Sequence, residues 1–132
     1  MISSIVLHIL GRVYYKARNN SFTNTYMVDK INEARIWMKN RVDDPLPPEE
    51  IAAQLGLGYS WFRRQFKEYT GVSPVQYQLQ LRLLRAKELL TDSSLNISEI
   101  AYMLRFENAG QFSTFFKGKE GMTPSEFRKQ YL

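Results

Sequence analysis

The chain has 132 residues, of which 44% are apolar and 23% charged, a composition typical of one folded domain or of two very small ones that share a core. It contains no cysteine and a single histidine, His8. This excludes disulfide scaffolds, thiol nucleophiles and cysteine-ligated metals, and it leaves almost no means of building a histidine-ligated site. Eighteen basic against thirteen acidic residues give a net charge of +5, which is compatible with a polyanionic partner.

The sequence gives no sign of a membrane segment or of an exported protein. No run approaches the roughly 20 apolar residues that span a bilayer. The nearest, 5–10, is interrupted by His8, and basic residues follow it rather than precede it as they do in a signal peptide. We therefore expect a cytoplasmic protein that has no membrane contact, no metal and no cofactor.

Apolar residues recur at three- and four-residue spacing almost throughout, which predicts an all-α chain. An extra N-terminal helix is predicted over 4–17, followed by a polar linker over 18–25. About seven further helices are predicted over 27–41, 48–55, 59–69, 74–90, 97–104, 108–119 and 124–130.

Capping signals fix several of these starts. Ser73-Pro74-Val75-Gln76 and Thr123-Pro124-Ser125-Glu126 both have the pattern of a capping box with proline at the first helical position. Asn96-Ile97-Ser98-Glu99 is a weaker third example.

The chain contains an internal repeat with an offset of about 50 residues. Glu50-Ile51-Ala52 recurs as Glu99-Ile100-Ala101, and Gly71-Val72-Ser73-Pro74 recurs as Gly121-Met122-Thr123-Pro124. In each copy, a short helix with an inward alanine precedes a longer helix with two phenylalanines one turn apart. This is the layout of a helix-turn-helix, whose second helix lies in the major groove of DNA. A generic helical hairpin shares it, so a protein–protein interaction module without sequence-specific DNA binding is the alternative.

The outward residues of the first copy favour DNA. Residues 59–67 hold three basic residues and no acidic one. Arginine suits bidentate contact with guanine, and lysine suits phosphate. The predicted contacts are Ser60, Arg63, Arg64 and Lys67, together with Trp61, which either packs at the edge of the core or presses against DNA.

The second copy is less well equipped, because residues 92–132 hold five basic and five acidic residues. Gln111 can read adenine, and Thr114 can reach a base or a phosphate. The predicted contacts are Ala109, Gly110, Gln111, Thr114 and Lys117. We expect the first copy to supply more of the base readout and the second to contribute positioning, with helix 74–90, about 25 Å long, holding the two apart.

A set of short motifs follows in order between Leu46 and Tyr131: Ile51-Ala52, Phe66-Lys67, Thr70-Gly71-Val72-Ser73-Pro74, Arg82-Leu83, Ile97-Ser98-Glu99-Ile100-Ala101, Phe112-Ser113, Phe116-Lys117 and Gly121-Met122-Thr123-Pro124. Together they resemble the DNA-binding domain of the AraC/XylS transcription regulators. The resemblance implies two helix-turn-helix units and a bacterial, nucleoid-associated regulator of transcription that binds double-stranded DNA. Members are often activators that contact RNA polymerase. This sequence also lacks the paired carboxylates typical of acid–base catalysis, so we do not expect an enzyme.

The resemblance also implies the organisation of the chain. Residues 27–132 are expected to form the double helix-turn-helix domain, with subdomains at about 27–73 and 91–132 joined by the connecting helix 74–90. Residues 1–26 are expected to be the last helix and linker of a preceding sensor or dimerisation domain. A small-molecule effector would act only through that missing domain, and the fragment is expected to be a monomer or a weak dimer.

Four departures from the family pattern bear on the second unit. Arg105 stands where the family commonly has glycine, so the turn is expected to be strained or reshaped. Gly118 replaces a basic residue and is expected to weaken the end of its helix. Gln111 and Thr114 replace an aromatic and a basic residue, which predicts weaker base reading by this unit.

Overall fold

The computed structural model of the chain describes residues 21–131, and within that range the chain forms helices and turns but no strand. The helices are α1 (Ser21–Asn40), α2 (Pro48–Gln54), α3 (Tyr59–Thr70), α4 (Pro74–Asp92), α5 (Ile97–Met103), α6 (Ala109–Glu120) and α7 (Pro124–Lys129). The predicted all-α fold with about seven helices is confirmed. The extra helix predicted over 4–17 lies outside the described residues.

Helix α1 is already formed at Ser21, the first described residue, upstream of the start predicted at Met27. Residues 21–25, predicted as part of a polar linker, belong to this helix instead. Extending a helix that has already nucleated requires little from each added residue, so a polar segment can continue it. The buried stripe that anchors the helix lies further along, at Ile31, Ala34 and Met38.

The three predicted caps form, but not equally. The weaker candidate, Asn96 with Glu99, makes both hydrogen bonds of a capping box, as does Thr123 with Glu126. Ser73 accepts a hydrogen bond from the backbone N–H of Gln76 at 3.2 Å, without the reciprocal bond. The two complete boxes are those with a glutamate, whose charged oxygen is the stronger acceptor.

The described residues bury two separate hydrophobic cores. The first is built from α1, α2 and α3, with half-buried Tyr77 and Leu81 of α4 packed against it. The second is built from α5, α6 and α7 together with Ala86, Leu89 and Leu90 of α4. Helix α4 therefore completes one core with its first half and the other with its second half.

Polar contacts add to this packing along α4. The side chain of Gln78 donates to the carbonyl of Leu46 at 2.7 Å, which fixes the loop between α1 and α2. Arg128 of α7 donates to the carbonyls of Leu90 and Leu89 at 2.9 and 3.2 Å, which satisfies the end of α4. Each unit is thus held to α4 by side chains as well as by its core.

Across residues 21–131, the structure contains no helix that is both long enough and apolar enough to cross a membrane.

Candidate DNA interface

The recognition helix of the first unit, α3, is anchored by two buried phenylalanines. Phe62 and Phe66 are fully buried, and their ring centroids lie 5.6 Å apart. Phe66 also meets the ring of Tyr77 edge-on at 5.3 Å. Fully buried Ala52 on α2 leaves room for α3 to approach closely, as its small side chain predicts. One face of α3 is therefore fixed, and the opposite face is free.

The turn before α3 depends on a glycine. Gly56 has φ +73°, a left-handed conformation that side chains disfavour. The N–H of Leu57 then donates back to the carbonyl of Ala52 at 2.8 Å, which closes the end of α2. This closure sets the direction in which α3 leaves the turn.

The predicted contact residues of the first unit lie together on the outer face of α3. Ser60, Arg63, Arg64 and Lys67 are exposed, while Trp61 is half-buried and so belongs to both the core edge and the surface. Arg64 Nε donates to the carbonyl of Ser60 at 3.4 Å, which leaves both terminal nitrogens available. The side chains of Arg63 and Lys67 have no hydrogen-bond or ion-pair partner among the described residues.

The recognition helix of the second unit, α6, has the same anchor. Phe112 and Phe116 are fully buried with centroids 6.0 Å apart, and the Phe116 ring meets that of Phe127 at 5.3 Å. Helix α6 continues through Gly118 to Glu120, so the predicted weakening does not end it early. Its last residue pairs with Lys87 of α4.

The polar residues predicted to read DNA in α6 are already hydrogen-bonded within the unit. Asn108 caps the helix by accepting from the backbone N–H of Gln111 at 2.8 Å. The Gln111 side-chain oxygen accepts from the backbone N–H of Glu107 at 2.8 Å. The Thr114 hydroxyl donates to the carbonyl of Gly110 at 3.0 Å.

The other predicted residues of α6 present small or charged groups. Ala109 is half-buried, whereas Gly110 and Lys117 are exposed. A Cβ at position 110 would lie 3.2 Å from the Asn108 side-chain oxygen, so a larger residue there would crowd the cap. The surface of α6 can approach a partner closely but offers few free polar groups.

Arg105 occupies the position in the second turn that Gly56 occupies in the first. It has φ +65°, and it is the only residue other than glycine with positive φ among residues 21–131. The N–H of Phe106 donates to the carbonyl of Ala101 at 3.0 Å, as Leu57 does to Ala52. The turn is therefore strained, as predicted, but not reshaped.

Sequence reasoning missed a charged network that joins this turn to the first unit. Arg105 Nε donates to the carbonyl of Asp43 at 3.2 Å, and its Nη2 lies 3.3 Å from Asp44 Oδ1. Arg41 contacts the other carboxylate oxygen of Asp44 at 3.3 Å, and Arg85 contacts the carboxylate of Asp43 at 3.4 Å. We call these five residues the arginine–aspartate clasp. Only folding brings them together, so the one available signal was the pair of adjacent aspartates.

The arginines of α4 differ in their surroundings. Burial alone would lower the pKa of Arg85, but its contacts with Glu88 and Asp43 outweigh burial and raise that pKa. Arg82 is half-buried and lies with its guanidinium 4.1 Å from the centroid of the Phe106 ring. It also donates to the carbonyl of Leu104, and burial lowers its pKa. Arg82 therefore holds the end of α5 against α4.

The described residues contain no cluster of three or more histidine, cysteine or acidic side chains that could hold a metal ion. A cleft between the end of α1 and α4 has a volume of about 530 Å³ and is lined by the clasp residues Asp43, Asp44 and Arg85 with Leu81 and Leu84. It lies beside the clasp and does not include the predicted DNA contacts of α3 or α6.

Comparison with known proteins agrees with this geometry. The profile of a helix-turn-helix domain family matches residues 51–130. The transcriptional activator RhaS of Salmonella arizonae is 32% identical over 100 residues, or 76% of this chain. A transcriptional regulator with an AraC-type DNA-binding domain from Chromobacterium violaceum is 34% identical, with a TM-score of 0.73 over 78% of this chain and 92% of its own.

The DNA-binding domain of AdpA, solved in complex with a target DNA, has a TM-score of 0.71 at 26% identity and covers 76% of this chain and 91% of its own. The matched region spans only 36% of the length of RhaS.

Proposed function

The chain belongs to the AraC-type family of helix-turn-helix transcription regulators and carries its DNA-binding domain. We propose that this domain reads a two-part DNA site, with α3 in one major groove and α6 in the next. The observation that carries the proposal is the attachment of two like-anchored recognition helices to one helix, α4. With 19 residues, α4 is about 28 Å long. This is near the roughly 34 Å between successive major-groove faces.

In the first groove, we propose that Arg63 and Arg64 contact bases or lie beside them, with Ser60 at the near end of α3. Their exposure and free guanidinium nitrogens support this role. We assign Lys67 to phosphate and the exposed edge of Trp61 to sugar or thymine methyl groups. These residues make the first unit the main source of sequence readout.

In the second groove, we propose that α6 mainly positions the domain. Gly110 and Ala109 allow close approach, and Lys117 reaches phosphate. Because the Gln111 oxygen already accepts from the backbone N–H of Glu107, the amide is held in one orientation, with its two N–H groups and one oxygen lone pair left for a base. The Thr114 hydroxyl, which donates to Gly110, keeps only its acceptor lone pairs. Bidentate reading of adenine by Gln111 would have to use this orientation or release the backbone contact.

For the protein as a whole, we propose transcription activation through contact with RNA polymerase, following the activator named among its relatives. The double helix-turn-helix domain would run from α1 onward, with the two subdomains joined by α4 and a sensor or dimerisation domain before them. Any small-molecule effector would act through that preceding domain, and the present chain would be a monomer or weak dimer acting at the bacterial nucleoid. A reporter under a promoter that carries the selected site tests activation directly.

The central experiment is selection of binding sites from random double-stranded DNA with the purified chain. We expect an enriched motif in two parts, with the first part more strongly defined than the second. Absence of enrichment, together with an affinity that barely depends on salt, would instead favour a protein–protein interaction module.

The salt dependence separates phosphate contacts from base contacts. We expect Lys67→Ala to weaken binding to all sequences and to reduce the slope of log affinity against log salt by about 1. Lys39→Ala removes another exposed lysine, near the end of α1 rather than on a recognition helix, and is the matched control. An equal reduction in slope for both variants would contradict the assignment of Lys67.

A further inference from the structure

We propose that Arg105 is a positioning residue, which through the arginine–aspartate clasp holds the second recognition helix in register with the first. The clasp would thereby set the spacing between the two half-sites that the domain accepts. This inference rests on the proposed function, since it requires α3 and α6 to occupy one DNA molecule.

The clasp joins two units whose helices otherwise meet through α4. Within residues 21–131, the main helix-to-helix packing lies inside each unit or between a unit and α4. Arg105 instead reaches from the turn between α5 and α6 to the loop after α1, across 62 positions of sequence. It supplies a second attachment point away from the axis of α4, where it resists rotation of one unit relative to the other.

The groups that accept hydrogen bonds from Arg105 are also held in place by two other arginines. Arg41 Nε donates to the carbonyl of Asp44 at 3.2 Å, and Arg41 also binds one carboxylate oxygen, leaving the other for Arg105. Arg85 binds the carboxylate of Asp43, whose carbonyl accepts from Arg105. Three arginines from three different elements therefore converge on two adjacent residues of one loop.

The backbone at Arg105 supports a role for the side chain. The first turn uses Gly56 for the same left-handed conformation, and glycine adopts it without strain. An arginine there destabilises the turn, and strained residues of this kind cluster at functional positions. The side chain gained at that position is the one that reaches the other unit.

Stability alone does not account for the clasp. Arg105 and Asp44 are exposed by 62% and 66%, and ion pairs at that exposure contribute little to folding. A weak contact can still narrow the range of orientations between two units attached to one helix. We therefore expect its loss to change spacing preference more than stability.

The test uses DNA sites selected with the parent chain. Each variant is measured on the full site, on the site with its second half scrambled, and on sites with one base pair inserted or deleted between the halves. For Arg105→Gly we expect about two- to fivefold weaker binding to the full site. We also expect a flatter dependence on spacing, while binding to the first half alone changes only by the small non-specific effect of the lost charge.

Two variants with opposite charge changes separate the clasp from general electrostatics. Arg105→Gly removes a positive charge, whereas Asp44→Ala removes a negative one. Both should flatten the spacing dependence, although their effects on non-specific affinity differ in sign. Asp92→Ala, an exposed aspartate at the end of α4, removes the same charge as Asp44→Ala outside the clasp and should keep the parent profile.

A measurement without DNA tests the geometry directly. The chain has no cysteine, so Glu68→Cys on α3 and Lys119→Cys on α6 accept spin labels at those two positions only. Both residues are exposed. Pulsed electron resonance should give a narrow distance distribution for the labelled parent and a broader one with Arg105→Gly added.

The outcomes distinguish the two proposals. If the parent gains no affinity from the second half-site, the two-groove function is wrong and the role of the clasp is wrong with it. If the parent gains affinity but both clasp variants keep its spacing profile and its distance distribution, only the role of Arg105 is overturned.

Discussion

The two helix-turn-helix units have separate cores built in the same way, but their outer surfaces differ. Phe66 and Phe116 are both fully buried against a short helix and an aromatic ring that follows in the chain. On the outer face, Arg63 and Arg64 of α3 are replaced in α6 by Ser113 and Thr114 at the offset of 50 residues. The comparison shows that packing constrains the repeated positions, whereas residues facing solvent are free to specialise.

The largest expected effect tests whether the two cores are equivalent. Phe66→Ala and Phe116→Ala should each reduce the free energy of unfolding by about 3–5 kcal/mol, because each removes a fully buried ring. Urea unfolding measures both, and Phe→Leu at the same positions gives a milder pair if the alanine variants do not fold. If only one of the two alanine variants lost free energy of unfolding by this amount, the two cores would not be equivalent.

The next effect tests the difference between the surfaces. Arg64→Ala should lower the affinity for the selected DNA by about 1–3 kcal/mol. Thr114→Ala should change it by less than about 0.5 kcal/mol, because its hydroxyl already donates to Gly110. Dissociation constants of both variants on the same DNA site measure the difference. A Thr114→Ala variant that binds as weakly as Arg64→Ala would contradict the proposal that the first unit supplies most of the base readout.

The turns provide a third comparison. Gly56→Ala should destabilise the fold by about 1–2 kcal/mol, because it places a side chain at positive φ. Nothing lies within 4 Å of the added Cβ, so the effect is conformational rather than steric. Arg105→Ala should destabilise less, because the parent already has a side chain in this conformation. Thermal unfolding of the two variants measures the difference. An equal loss of stability in both would show that the backbone at Arg105 is not strained.

The smallest effect concerns the N-terminal caps of α7 and α4, which are two of the helices that begin with proline. Hydrogen bonds from Thr123, first through its backbone, lower the pKa of Glu126 below its ordinary value of 4.5. Its stabilising effect is therefore fully present above the unfolded pKa and is lost as the pH falls through the lower folded pKa. The corresponding cap of α4 has neutral Gln76 and lacks this dependence.

We expect Glu126→Gln to remove a small part of the acid sensitivity of thermal unfolding below pH 4.5. Gln76→Ala is the matched control, and it should leave the pH dependence as it is in the parent. An unchanged pH profile for Glu126→Gln would show that this cap does not contribute.

The sequence alone predicts most of this fold because its signals are local. Proline starts, caps and phenylalanine pairs each depend on residues within one or two turns, and they place six of the helices within about two residues of their observed bounds. The start of α1 is the exception, since Ser21–Thr25 is polar and continues a helix that is anchored further along.

The predicted site is recovered less completely. Residue type and helical phase suffice to place Arg63, Arg64 and Lys67 on the outer face of α3. Residue type and helical phase do not show that the Gln111 side chain accepts from the backbone N–H of Glu107. Whether it does so depends on the conformation of the turn before α6. The contact of Arg105 with Asp43 and Asp44 depends on how two units meet on α4, and no local pattern contains that information.

Helix α4 also has a consequence for how the molecule unfolds. Each core alone is small for an independent domain, yet each includes side chains from one half of the same 19-residue helix. Melting of either unit alone would expose half of α4 to water. Breaking that helix in the middle would also create new helix ends, whose backbone N–H and C=O groups have no intrahelical partner. The two cores are therefore expected to melt together, in a single cooperative transition.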